Sequence, residues 1–135
     1  MTKRSKDLYH NRKELESNGW DVIKSSRYNS GSETLAHSVC KLITGHYLKH
    51  DCGYKVDFEV EHPTRGEIDV LAWGESDIIC VECETNPSDE VVSDKIDRYV
   101  TGTPIRDMFL LNVDNLPVGW TEAYLWIDGQ LFDIL

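Results

Sequence analysis

The alternation of apolar and polar positions predicts most of the elements in this chain. In "YKVDFEVEH" (54–62), Val56, Phe58 and Val60 alternate with Asp57, Glu59 and Glu61, which is the period of a strand with one wet face, and Pro63 and Gly66 end it. "EIDVLAW" (67–73) is a second strand, "GESD" (74–77) a tight connection and "IICVECET" (78–85) a third strand, so residues 54–85 read as a three-stranded meander. Upstream, "SETLAHSVCKLITGHYLKH" (32–50) places Leu35, Val39, Leu42, Ile43 and Tyr47 at helical spacing behind Ser32 as the cap, with His37 and Lys41 on the helix surface.

Residues 6–18 form another helix that Gly19 stops, followed by a short extended segment "WDVIKSSRY" (20–28) and a turn "NSGSE" (29–33). Asn86 and Pro87 make a helix entry, with Asp89 and Glu90 where the helix dipole favours acids, and this helix runs to about Val100. "DMFLLNV" (107–113) is an apolar strand that the helical crossover lays parallel to its predecessor. In "EAYLWIDGQLFDIL" (122–135), two strand-like runs flank Asp128-Gly129, which predicts a terminal hairpin. The order is then α-β-β-β-α-β-β-β: an α/β fold at the border of α+β, with a small mixed sheet flanked by helices. The 135 residues are expected to form one domain: an N-terminal basic helix and extension (1–31), a central part (32–100), and a strand with the hairpin (101–135).

Charge and composition narrow the function. The net charge of −10 repels nucleic acid at long range, yet five of the basic residues (Lys3, Arg4, Lys6, Arg12, Lys13) lie in the first 13 positions, with Asp7 the only acid among them. No run approaches the roughly 18 apolar residues of a membrane span, and "MTKRSKDLYHNRKELE" lacks the apolar centre of a signal peptide; a cytoplasmic protein with reduced thiols is expected. Cys80 and Cys83 form a CxxC, but on a strand positions three apart face opposite ways, so the pair does not close on one metal. His46, His50 and Cys52 would be the further zinc ligands; buried or surface-neutral side chains are the simpler reading of all five.

Three acids stand out because they interrupt the apolar strands. Asp69 lies between Ile68 and Val70, and Glu82 and Glu84 follow Ile78–Val81. Glu82 and Glu84 share one face of their strand because they are two apart. With Asp69 on the neighbouring strand, three carboxylates converge at one end of the sheet, where mutual repulsion raises their pKa values unless a counter-charge is present. Carboxylate oxygens suit a hard divalent cation such as Mg²⁺ or Mn²⁺.

Asp69 followed thirteen residues on by Glu82-Cys83-Glu84, in the context helix, three strands, helix over residues 32–100, resembles the metal core of the PD-(D/E)XK nuclease superfamily. The resemblance implies a restriction-endonuclease-like core and a Mg²⁺- or Mn²⁺-dependent DNA nuclease of the resolvase-like or restriction-like kind, acting as an endonuclease and as a homodimer; the apolar end "LFDIL" of the expected hairpin offers a contact for the dimer. It further implies Asp69, Glu82, the Cys83 carbonyl and the helical acid Glu33 as the metal shell, with Glu67 a weaker candidate. The family's usual Lys is replaced by Glu84, which would orient or deprotonate the attacking water. Lys95 and Tyr99 in "KIDRY" have the spacing of the family's exonuclease-type QxxxY motif and share one helix face, so Lys95 would supply the ammonium that Glu84 cannot, and Tyr99 would point into the cleft. Lys3, Arg4 and Lys6 would dock the DNA backbone. The alternative is a catalytically inactive relative that binds DNA or protein on the same fold.

Overall fold

The computed structural model describes residues 3–22 and 34–132, with side chains from residue 6 onward. Helix α1 (Lys3–Ser17) ends where expected: Gly19 takes φ +100, a conformation open to glycine without steric cost. Trp20 and Val22 follow as buried residues outside any strand; the rest of the expected extended segment, and the turn at 29–33, lie outside the described residues. Helix α2 (Leu35–His50) starts one residue after Thr34, whose hydroxyl accepts from the His37 N–H at 3.3 Å, so the cap is Thr34 rather than Ser32.

Strands β1 (Lys55–His62), β2 (Gly66–Trp73) and β3 (Ile78–Glu84) form the antiparallel meander that their alternation predicts. Helix α3 (Asp89–Tyr99) then crosses over, and β4 (Asp107–Asn112) pairs parallel to β3, giving a four-stranded mixed sheet in the order β1-β2-β3-β4. Ser88 caps α3 by accepting from the Val91 N–H at 3.2 Å, so Pro87 precedes the cap instead of occupying the first turn.

The C-terminal hairpin is a correction. Residues Trp120–Leu131 form a helix, α4. Asp128-Gly129 is a local turn signal, but Ala123, Ile127 and Leu131 recur every four residues and bury in one core with Cys40, Ile43 and Tyr47 of α2. Burial of a helical stripe against a neighbouring helix outweighs a two-residue turn preference, because the hairpin would leave that stripe without a partner. Gly129 sits inside α4 with open space where a Cβ would project. Gly129→Ala is therefore expected to raise stability by about 0.5–1 kcal/mol in a denaturant titration, through helix propensity. A hairpin turn at this position would give the opposite sign.

The result is an α/β sandwich of three layers. Helices α2 and α4 cover one face, over Phe58, Val70, Ala72, Ile79, Val81 and Cys83. Helices α1 and α3 cover the other, where Leu15, Trp20 and Tyr99 pack on Leu71, Trp73, Ile78 and Cys80. Cys80 and Cys83 thus face opposite layers, as strand parity requires. Among the described residues no helix is long and apolar enough to cross a membrane.

Candidate active site

Strand parity places two of the acids. Glu82 and Glu84 fall in step with Ile78 and Cys80 on the α1/α3 side of the sheet, and Asp69 lies at the step where β2 changes face, between Ile68 of that layer and Val70 of the other. They meet where the sheet ladder opens. The β2–β3 register runs from Trp73–Ile78 to Val70–Val81 and stops one step short of Asp69 and Glu82. Beyond that point side chains take over from the backbone. The Asp69 N–H donates to Glu82 Oε2 at 2.7 Å, and the Cys83 N–H donates to Asp69 Oδ2 at 2.9 Å. This reciprocal clasp holds the two carboxylates side by side.

Helix α3 supplies the counter-charge. The Tyr99 hydroxyl donates to the Glu67 carbonyl at 2.7 Å, which pins the end of α3 across the start of β2. One turn earlier on the same face, Lys95 Nζ lies 2.8 Å from Glu82 Oε1 and is also ion-paired with Glu84. Glu82 is 1% exposed, Lys95 12% and Glu84 30%, so the cluster opens toward solvent along the Glu84 side.

The electrostatics follow from this geometry. Burial, and next the neighbouring Asp69 charge, push Glu82 up to about 8, against the pull of Lys95 and the Asp69 amide. Burial opposes the Lys95 ammonium, but Glu82 and Glu84 together hold its pKa well above the ordinary lysine range. Glu67 is raised by burial and by Glu59 and Glu61. Burial, then Glu82, pushes Tyr99 up to about 12.

The sequence-predicted residues divide accordingly. Asp69, Glu82, Glu84 and Lys95 come together. Cys83 contributes its backbone only: its thiol lies in the opposite layer, 3.2 Å from the Cys40 thiol, and that contact together with burial raises its pKa. Tyr99 is 2% exposed and packs against Trp20, so the expectation that it points into a substrate cleft is corrected; it anchors α3. Glu33 lies outside the described residues, as do the side chains of Lys3 and Arg4, while Lys6 is exposed on α1. Within the rest of the basic arm, Arg12 and Lys13 are engaged by Glu16.

Lys41 is a second correction. It is fully buried, not on the helix surface, and its Nζ donates to Glu59 Oε1 at 2.9 Å. Both residues were missed as site candidates because Glu59 fits the wet face of an alternating strand. The available signal was the row Ser38, Lys41, Gly45 and Leu48, which gives α2 a second buried stripe with small residues beside the lysine.

Among the described residues, no three His, Cys, Asp or Glu side chains gather into a ready-made metal group. The donor chemistry of Asp69 and Glu82 nevertheless fits a hard divalent cation: two carboxylates are clasped so closely that one raises the proton affinity of the other, and a cation relieves the same repulsion. Comparison with known proteins finds no match to this chain, whether among family models, curated proteins or solved structures.

Proposed function

We propose that this protein is a metal-dependent DNA nuclease whose reaction centre is the Asp69–Glu82–Glu84–Lys95 cluster. One observation carries the reading: where the sheet ladder opens, two carboxylates are each clasped by an amide of the other's strand, and a lysine from the crossover helix is drawn between the β3 acids. Asp69 and Glu82 would hold Mg²⁺ or Mn²⁺, with water and substrate phosphate completing the shell, as is usual for Mg²⁺ bound through one or two carboxylates. When bound, the cation would lower the pKa of a water and offset charge on the phosphate.

The chain's own groups do the rest. Glu84, 30% exposed where Glu82 is 1%, accepts a proton from water approaching the phosphate. Lys95 presents an ammonium to the oxygen charge that develops as the phosphodiester bond breaks. Its elevated pKa keeps it charged throughout the neutral range. The chain's net charge of −10 makes DNA binding depend on cations at the contact surface.

A second reading has its own support. Lys95 already neutralises the acids and no ready-made metal group is present among the described residues, which suits a nuclease-fold module that binds DNA or protein without cutting. Incubation with supercoiled plasmid in Mg²⁺ or Mn²⁺, with EDTA and Asp69→Asn controls, separates the two. Nicking that requires the cation and Asp69 is the expected result. Retained DNA binding with no nicking in either metal establishes the second reading, and neither binding nor nicking removes both.

A further inference from the structure

Successive residues of a strand point to opposite faces, yet Phe58 and Glu59 both reach α2. The Phe58 ring fills the space where a methyl on Gly45 would project, and Glu59 meets Lys41, one turn earlier on the same helix. Glu59 manages this with φ +51, in the left-handed region that a β-strand glutamate does not favour. The consequence runs across the sheet. Phe58 and Val70 pack in the α2/α4 layer, whereas Val60 and Ile68, two residues further along each strand, pack in the α1/α3 layer. The β1–β2 register passes from Phe58–Val70 to Val60–Ile68, so the reversal falls at the step occupied by Glu59 and Asp69.

We propose that Lys41 and Glu59 are a positioning pair for the acid cluster, a role that rests on the reading of that cluster as a reaction centre. The ammonium, sealed beneath the sheet at 0% exposure, cannot touch substrate. It draws the Glu59 carboxylate out of strand parity and holds the backbone in the left-handed conformation. The sheet turns over at that step, and Asp69 directs its amide and carboxylate to β3, where they clasp Glu82 and Cys83. A buried ion pair is a weak source of net stability compared with apolar residues of the same volume, which leaves the geometry it enforces as its contribution.

The test is the double variant Lys41→Met/Glu59→Gly. It removes both charges together, so neither is left buried alone, and glycine tolerates the left-handed φ without being held there. Amide hydrogen exchange reads the clasp directly, without DNA or metal. The expected result is exchange faster by about tenfold or more at Asp69 and Cys83, with Val81 unchanged, in a protein that still melts cooperatively. With plasmid substrate, kcat falls by at least about tenfold while KM stays within about twofold, because misplaced groups lose transition-state contacts without losing docking. If the double variant does not fold, Lys41→Met/Glu59→Asn, which also removes both charges and puts at position 59 a residue that accepts the left-handed φ, takes its place, and the same amides are read. Unchanged exchange at Asp69 and Cys83 in a folded variant overturns the proposal. Wild-type protein that cuts no DNA, with the clasp amides still loosened, removes the reaction centre and leaves the positioning pair standing.

Discussion

Lys95→Ala is expected to lower kcat for phosphodiester cleavage by about 10²–10³-fold with little change in KM, the range found when one preorganised donor to developing charge is removed. The reason is positional. Lys95 is fixed over Glu82 and Glu84 by a helix that Tyr99 pins to β2, so its ammonium is in place before charge develops on the substrate. The fold survives the change, because Glu82 already tends to hold a proton and becomes neutral when its partner is gone. Arg4→Ala and Lys6→Ala are expected to show the opposite signature: weaker DNA binding and a shallower salt dependence, with turnover at saturation close to wild type. Steady-state kinetics on a short duplex, with affinity measured in Ca²⁺, separates the two classes. If Lys95→Ala and Glu84→Ala both keep full turnover, the reaction centre lies elsewhere in the molecule.

Glu82→Gln is expected to make the metal-free protein more stable, by an amount that grows with pH. The ordinary glutamate value is 4.5 and the folded value is about 8. Between these, the unfolded chain has released its proton while the folded chain retains it, so wild-type stability declines as pH rises through this window. Below 4.5 both states are protonated and the penalty vanishes; above about 8 it is fully present. Glutamine mimics the protonated side chain at every pH. The gain should therefore be near zero at acid pH and approach an upper limit of about 5 kcal/mol under alkaline conditions, converting the shift at about 1.4 kcal/mol per pH unit. Denaturant titrations in EDTA at several pH values read it. A stability difference that does not change with pH would mean that burial and Asp69 do not act on Glu82 as its surroundings indicate.

The site was legible to the extent that it depends on local periodicity. Glu82 and Glu84 could be placed on one strand face because strand parity is a property of the backbone, and Lys95 and Tyr99 on one helix face for the same reason, whereas Asp69 sits at the step where β2 changes face. Parity does not say how deep a side chain lies. Tyr99 has the spacing of a cleft residue and is a core residue, since Trp20, just after the Gly19 stop of α1, packs edge-on against it. Glu59 has the spacing of a solvent-facing acid and lies against a buried lysine, since a left-handed backbone takes it out of parity.

The sequence by itself determined the meander β1–β3, the crossover through α3 to a parallel β4, and the shared face of Glu82 and Glu84, because period-two alternation, apolar runs and turn residues act over a few neighbouring positions. Only the tertiary structure decided the last element and the environment of the charges. Asp128-Gly129 is a hairpin signal in isolation, and it lies within a helix here because Ala123, Ile127 and Leu131 find a buried surface on α2. Lys41 reads as a surface lysine, and it is enclosed because the α2 face that carries it packs on the sheet, with Glu59 of β1 against it. In both cases the deciding free energy comes from burial against residues distant in the chain, a contribution much larger than a local turn or helix preference and invisible until those residues are brought together.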